Sequence, residues 1–153
     1  MKTAYSYRHD PAVPAFPDDR PVFLFDGHCV MCSGWVQTVL RHDRKAHFRM
    51  VAAQTELGCA LYRHYGLDPE DHSTNMVIAD GVALFKSQSS IYVVAALGFP
   101  WSVVKILYLL PVPWLDRLYG VVARNRLRFG RKAVCMVSLS GYEDRFLDGG
   151  AQP

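Results

Sequence analysis

The chain has 153 residues, half of them hydrophobic, which suits one domain with a substantial core. Its formal net charge of +3, from 17 basic and 14 acidic residues, is too small to indicate a nucleic-acid-binding protein. Four cysteines and an N-terminus without an apolar signal segment predict a reducing compartment, with the cytoplasm as the default location.

Residues 1–20 carry three prolines, mixed charge and no hydrophobic period, so we expect an irregular or disordered arm there. A single domain should follow over residues 21–139 and include C-terminal helices from about residue 90. Residues 140–153 are expected to form a loose tail.

An apolar run at residues 22–25 predicts a buried strand, and the Asp-Gly pair after it predicts a turn. Cys29 and Cys32 then form a Cys-x-x-Cys pair at the start of a segment with helical composition. Residues three apart on a helix share a face, so the two sulfurs can meet. Cys29 falls at the helix N-terminus, where unpaired N–H groups and the helix dipole stabilise a thiolate. We therefore expect Cys29 to attack a disulfide and Cys32, predicted to be the more buried thiol, to resolve the intermediate.

Two residues next to the pair are candidates for tuning it, and each has a second interpretation. Asp26 would end a buried strand close to the thiols, where a carboxyl could carry a proton to or from Cys32. It could instead be a turn residue that hydrogen-bonds its own backbone. His28 would favour the Cys29 thiolate if the imidazole is charged, or it would simply face solvent.

The Cys-x-x-Cys pair is also compatible with half of a structural zinc site. Such a site needs two further ligands, usually a second closely spaced pair. Cys59 and Cys135 are single and far apart in the chain, so redox chemistry is the stronger interpretation and no metal ligands are assigned.

Three further apolar runs predict the rest of a sheet. Residues 48–52 form a second strand, which with the first strand and its helix makes a parallel βαβ unit with a right-handed crossover. A second helix follows and ends at Gly66. Residues 76–79 and 82–85, joined by an Asp-Gly pair, are typical of a β-hairpin. The predicted fold class is therefore α/β, with a mixed four-stranded sheet flanked by helices and a C-terminal helical extension.

The chain after this sheet is strongly apolar. Residues 91–115 contain one charged residue, Lys105, and are interrupted by three prolines. These breaks argue against a membrane span, which needs about 20 uninterrupted apolar residues. We expect helices over residues 91–97 and 101–110 to pack as a hairpin, and the alternative is a surface that faces a partner or a membrane.

The last predicted helix runs from Pro113 to about residue 129 and has a basic tail. The simpler interpretation is solvated cations near a helix C-terminus, where positive charge is favoured. The alternative is a site for an anion or an acidic partner, because arginine pairs well with carboxylate and phosphate. Arg124 and Arg126 are the candidates for reaching the rim of the cysteine site.

Two motifs resemble the DCC family of predicted thiol-disulfide oxidoreductases. The first is the D-x-x-C-x-x-C signature at residues 26–32, which reads Asp-Gly-His-Cys-Val-Met-Cys. The second is a C-terminal motif formed by Tyr119, residues 123–126 (Ala-Arg-Asn-Arg) and Gly130. The resemblance covers roughly residues 21–137 and implies a thioredoxin-like fold with thiol-disulfide chemistry, in a family whose physiological substrates are largely unassigned.

Thioredoxin-like proteins usually carry a cis-proline just before the third strand, where it shapes the groove for substrate backbone. In this chain Ser73, Thr74 and Asn75 occupy that stretch, and Pro69 lies too far upstream. The resemblance therefore implies that Thr74 and Asn75 take the place of the proline as substrate-binding residues.

These features together predict a thiol-disulfide oxidoreductase that works through a mixed disulfide. Its expected partners are a protein or small-molecule disulfide and an external dithiol reductant. We expect no bound cofactor and no nucleic acid, and a membrane-surface contact is less favoured. The alternatives are a non-catalytic module that binds a partner or a membrane surface, and a protein that binds metal through Cys29 and Cys32.

Overall fold

The structure is a computed structural model that describes residues 2–130 and 139–147, except for the side chain of Leu127. Cys135 and the part of the predicted tail beyond residue 147 lie outside the described residues. The described chain contains a single sheet with helices packed against it.

Four short strands form this mixed sheet in the order β2-β1-β3-β4. They are β1 (Val22–Phe25), β2 (Arg49–Ala52), β3 (Met76–Ala79) and β4 (Val82–Phe85). β1 pairs in parallel with β2 and antiparallel with β3, and β3 pairs antiparallel with β4. Asp80 and Gly81 close the hairpin with φ angles of 49° and 76°, the positive values that a two-residue type I′ turn requires. The predicted α/β, thioredoxin-like fold is confirmed.

Four α-helices flank the sheet, and they are α1 (Val30–His42), α2 (Glu56–His64), α3 (Lys86–Ala96) and α4 (Val112–Asn125). α1 connects β1 to the parallel strand β2 and so completes the predicted βαβ unit. α2 begins after Thr55, whose hydroxyl accepts the backbone N–H of Gly58 at 3.1 Å. The chain leaves α2 through Gly66, which has a positive φ of 74°.

β1 is buried along its whole length because it lies inside the sheet with both faces covered. Phe23 and Phe25 point to one face and pack with residues of α1 and α3. Val22 and Leu24 point to the other face and pack with α2 and Tyr7 of the N-terminal arm. The strand that leads into the cysteines is therefore held by two separate cores.

The N-terminal arm and residues 140–147 are more ordered than the sequence suggested. The N-terminal arm contains a short 3-10 helix, Ser6–His9, and buries Tyr7 against the α2 side of the sheet. Residues 140–147 were expected to be part of a loose tail, but they pack against the domain. Phe146 joins the core on the α1 side, and the buried Arg145 pairs with Asp43.

The C-terminal helices differ from prediction in their limits. α3 was expected over residues 91–97 but begins at Lys86, directly after β4, and Ser90 inside the helix donates its hydroxyl to the Lys86 carbonyl at 3.2 Å. Trp101–Leu109 forms a 3-10 helix that packs on α3 yet buries none of its own side chains. α4 ends at residue 125 and continues as a 3-10 helix, Arg126–Phe129. Among the described residues, no helix is both long and apolar enough to cross a membrane.

Candidate active site

Cys29 and Cys32 lie at the junction of β1 and α1. Cys29 is the N-cap residue of α1, and its Sγ accepts the backbone N–H of Cys32 at 3.2 Å. Both cysteines are free thiols in this structure. The predicted position of Cys29 at the helix N-terminus is confirmed, and the helix dipole there favours a thiolate on its sulfur.

The two thiols differ in exposure in the opposite sense to the prediction. Cys29 has 0% exposed surface, whereas Cys32 is partly exposed, so the expectation that Cys32 is the more buried thiol is wrong. The chain after α4 returns to the N-terminus of α1, where the Gly130 carbonyl accepts the Val30 N–H at 3.4 Å. This long-range contact next to Cys29 is invisible to local sequence patterns.

Burial raises the pKa of the Cys32 thiol to about 12. The neighbouring Cys29 sulfur adds to the rise, and Arg126 opposes it. A thiol with this pKa carries a negligible fraction of thiolate at neutral pH. Cys32 is therefore protonated at neutral pH.

Asp26 is 3% exposed and makes two kinds of contact through its two carboxylate oxygens. Oδ1 accepts the backbone N–H of His28 at 3.0 Å and the Nε2–H of Gln54 at 2.7 Å. Among the described residues, Oδ2 has no hydrogen-bond donor, and Arg126 Nη2 lies 3.5 Å from it. Asp26 is thus both a turn residue and one half of a buried ion pair.

Arg126 connects this carboxylate to the thiols. Its Nη1 lies 3.5 Å from Cys32 Sγ, and its side chain is only 10% exposed. Burial lowers the pKa of Arg126, but the nearby Cys32 and Asp26 raise it, and the net direction is upward. Arg124, the other predicted candidate, is exposed and its guanidinium lies beside Gly120 of its own helix. The structure therefore brings only Arg126 of the two arginines to the cysteine pair.

Tyr119 of α4 binds the backbone of the segment that precedes β3. Its hydroxyl accepts the N–H of Asn75 at 3.1 Å and donates to the carbonyl of Ser73 at 3.2 Å. The carbonyl of Thr74, between them, accepts the Tyr62 hydroxyl at 2.5 Å. Thr74 and Asn75 thus stand where the sequence predicted them, but their backbone groups bind side chains of this same domain.

A cavity of about 400 Å³ lies between β1, α1, α3 and α4, beside Cys32. Asp26, Cys32, Arg126 and Asn75 contribute polar groups to its wall. Most of the wall is apolar and includes Phe23, Trp35, Ile91, Leu115, Leu118 and Val122. Trp35 packs against the core on the α1 side and also faces this cavity.

The sequence predicted no site role for two residues of this site. Gln54 holds the Asp-Gly turn from a position 28 residues after Asp26, and no local pattern marks it. Tyr119 was marked only as part of the C-terminal motif of the DCC resemblance. His28 contributes its backbone N–H to Asp26, and its side chain is partly exposed.

The third described cysteine lies in a different helix from the pair and contacts a different part of the chain. Cys59 belongs to α2, and its thiol lies 3.4 Å from the carbonyl oxygen of Ala53. Within residues 2–130 and 139–147, no group of three or more His, Cys, Asp or Glu side chains is arranged to hold a metal ion.

Comparisons with known proteins identify relatives of this chain. The family described as DCC1-like thiol-disulfide oxidoreductase matches residues 23–132. The uncharacterized protein YuxK of Bacillus subtilis (strain 168) is 33% identical over 127 residues, which cover 82% of this chain and 93% of that protein. A chloroplastic DCC family protein of Arabidopsis thaliana is 34% identical over 120 residues, or 77% of this chain and 70% of that protein. No solved structure matches the chain.

Proposed function

Because this chain belongs to the DCC1-like thiol-disulfide oxidoreductase family, we propose that it catalyses thiol-disulfide exchange with Cys29 as the attacking thiolate and Cys32 as the resolving thiol. The observation that carries the assignment is the hydrogen bond from the Cys32 N–H to Cys29 Sγ at the start of α1. That donor and the helix N-terminus both stabilise negative charge on the Cys29 sulfur.

The greater exposure of Cys32 favours it as the attacking group, but its protonation state argues against that role. A nucleophilic sulfur must be a thiolate, and the pKa of Cys32 is raised to about 12. Cys29 has 0% exposed surface, so a substrate reaches its sulfur after a small local opening of the residues around it. No comparable small movement would remove the proton from Cys32 at neutral pH.

Arg126 and Asp26 support the second half of the reaction. After Cys29 has formed a mixed disulfide, Cys32 must lose its proton before it attacks the Cys29 sulfur. The Arg126 guanidinium, 3.5 Å from Cys32 Sγ, stabilises the thiolate that forms. Asp26 is the candidate proton acceptor, because its carboxylate lies 3.5 Å from the same guanidinium.

The cycle closes when an external dithiol reduces the Cys29–Cys32 disulfide. The partners are therefore a disulfide substrate and a dithiol reductant, and the pair itself needs no bound cofactor. Such a cycle belongs in a reducing compartment, for which we propose the cytoplasm.

A redox titration tests this function. The protein is equilibrated in glutathione buffers, quenched with an alkylating reagent and analysed by intact mass. We expect one two-electron transition between about −270 and −120 mV, in which Cys29 and Cys32 lose their labels together. Cys59→Ser is the matched control and should keep this transition, whereas Cys29→Ser and Cys32→Ser should abolish it. A pair that stays fully labelled in the most oxidising buffer would contradict the proposal.

The C-terminal helices favour a second candidate function, which is binding to an anionic membrane surface. The large exposed apolar side chains concentrate in residues 99–129 and include Phe99, Leu109 and Trp114. The same region is basic, because residues 86–130 contain Lys86, Lys105, Arg117, Arg124, Arg126 and Arg128 but only one acidic residue, Asp116. Apolar side chains with tryptophan beside basic residues are typical of surfaces that bind anionic lipids.

Vesicle flotation tests this second candidate. Vesicles of phosphatidylcholine with about 30% phosphatidylserine should carry the protein upward, and pure phosphatidylcholine vesicles should carry much less. Leu109→Ser should weaken the binding, and Cys29→Ser, the matched control, should leave it unchanged. Equal recovery of the protein with and without vesicles would exclude this function.

A further inference from the structure

We propose that the cavity beside Cys32 binds a small apolar disulfide and not an extended peptide strand. This inference rests on the proposed exchange function and adds the chemical class of its substrate. Three features carry it, namely the occupied backbone groups before β3, the apolar wall of the cavity, and the thiol in that wall.

The first feature concerns the groups that would pair with a peptide. An extended peptide binds through free backbone N–H and C=O groups on the receiving protein. In the segment before β3, the Asn75 N–H and the Ser73 carbonyl both bind the Tyr119 hydroxyl, at 3.1 and 3.2 Å. The Thr74 carbonyl binds the Tyr62 hydroxyl. A substrate backbone would therefore have to displace two side chains of this domain.

The second feature is the chemistry of the cavity wall. Its volume of about 400 Å³ lies within the range of small-molecule sites, roughly 300–1,000 Å³. Several of its polar groups are already paired within the protein, since Ser87 donates to Asp116 at 2.5 Å and Asn75 Nδ2 donates to Ser90 at 3.1 Å. Because most of the remaining wall is apolar, a strongly hydrated ligand would lose more hydrogen bonds to water than the few polar groups of the wall could replace. The wall therefore selects an apolar ligand.

The third feature is the position of the redox pair. Cys32 lies in the cavity wall, and the fully buried Cys29 lies beside it, with Cys29 Sγ accepting the Cys32 N–H at 3.2 Å. The Cys29 thiolate attacks one sulfur of the substrate R–S–S–R and releases the first RS⁻, and Cys32 passes its proton to Asp26, the acceptor proposed above. The new Cys32 thiolate attacks Cys29 Sγ and releases the second RS⁻. The substrate gains two electrons, and the protein is left with the Cys29–Cys32 disulfide.

Three disulfide probes test the inference on the reduced full chain. Dipropyl disulfide and bis(2-hydroxyethyl) disulfide have nearly the same shape and differ by a methyl group against a hydroxyl at each end. Glutathione disulfide is the peptide probe. Each rate constant is divided by the rate of the same probe with free dithiothreitol. We expect the dipropyl probe to react at least about tenfold faster than the hydroxyethyl probe, because burying an unpaired hydroxyl is costly, and glutathione disulfide to be slowest.

Two substitutions on α4 test whether the preference for the dipropyl probe arises in the cavity. Ala123 lines the cavity, so Ala123→Phe should fill it and bring the dipropyl and hydroxyethyl rates together. Val121 is exposed outside the cavity, so Val121→Phe is the matched control and should keep the preference. If Ala123→Phe unfolds, Leu118→Ser provides the test, because this exposed residue lines the cavity mouth and a polar replacement should reduce the preference.

The outcomes separate this inference from the proposed function. Equal corrected rates for the dipropyl and hydroxyethyl probes, or a fastest rate for glutathione disulfide, would overturn the inference and leave disulfide exchange standing. A preference that survives Ala123→Phe and Leu118→Ser would also overturn it. Absence of reaction with all three probes would overturn the exchange function and this inference with it.

Discussion

Replacing Arg126 with glutamine should destabilise the protein, because it leaves the buried Asp26 carboxylate without a cation. The two groups lie 3.5 Å apart, and at an effective dielectric constant of about 20 two unit charges at that distance attract by ~5 kcal/mol. Breaking a buried ion pair from one side typically costs about 3–5 kcal/mol. Since the Arg126 side chain keeps 10% exposure, we expect the lower end, a loss of ~3 kcal/mol in unfolding free energy.

Urea denaturation of the reduced protein measures this loss, and the melting temperature should fall by about 6–12 °C. Arg124→Gln, on the same helix and exposed, is the matched control and should stay within ~0.5 kcal/mol of the wild type. Asp26→Asn should partly restore stability to Arg126→Gln, since it removes the unpaired charge. If the two arginine variants lose the same small amount, or if Asp26→Asn gives no rescue, the ion pair does not have the strength assigned to it.

Three other predictions concern stability. Gly58→Ala should lower the free energy of unfolding measured in urea by more than ~2 kcal/mol, because the new Cβ would overlap a backbone oxygen. Gly34→Ala has open space at the Cβ and should raise the free energy of unfolding by about 0.5–1 kcal/mol by stabilising α1. Arg145→Gln should lower the free energy of unfolding by about 3–5 kcal/mol, because residues 140–147 are part of the domain. An unchanged urea midpoint would instead support the prediction of a loose tail. Below pH 9.0, the ordinary pKa of the thiol, Cys32 is protonated in both the folded and the unfolded protein. Between pH 9.0 and about 12 the unfolded protein loses this proton while the folded protein keeps it, so the free energy of unfolding falls as the pH rises. The stability of the wild type should therefore fall more steeply than that of Cys32→Ser over this range, and parallel curves would refute the shift.

The parts of the fold that followed from sequence are those with strong local signals. The apolar runs and the Asp-Gly pairs at residues 26–27 and 80–81 marked all four strands, and the Cys-x-x-Cys spacing placed Cys29 at the start of α1. The limits of the C-terminal helices were harder to predict, and α3, expected from residue 91, begins at Lys86 directly after β4.

The parts that did not follow from sequence are contacts between distant segments. The basic tail of the last helix suggested a site for an anion, but whether Arg124 or Arg126 would reach the cysteines depends on how α4 packs. The same packing puts Gly130 against Val30, and the burial of Cys29 was likewise not predicted from sequence. Arg145 pairs with Asp43, which lies 102 residues earlier in the chain, so no local pattern predicted that residues 140–147 are structured.

The order of attack is tested most directly by trapping the mixed disulfide. Cys29→Ser and Cys32→Ser are each made in a background in which Cys59 and Cys135 are serine, and the reduced proteins are treated with bis(2-hydroxyethyl) disulfide. Intact mass at neutral pH reports the adduct. Cys32→Ser should accumulate one adduct that dithiothreitol releases, because Cys29 attacks and nothing resolves the product. Cys29→Ser should accumulate almost none, because burial still raises the pKa of the remaining Cys32 thiol. An adduct on Cys29→Ser with none on Cys32→Ser would reverse the roles, and the absence of an adduct on both would contradict the exchange mechanism.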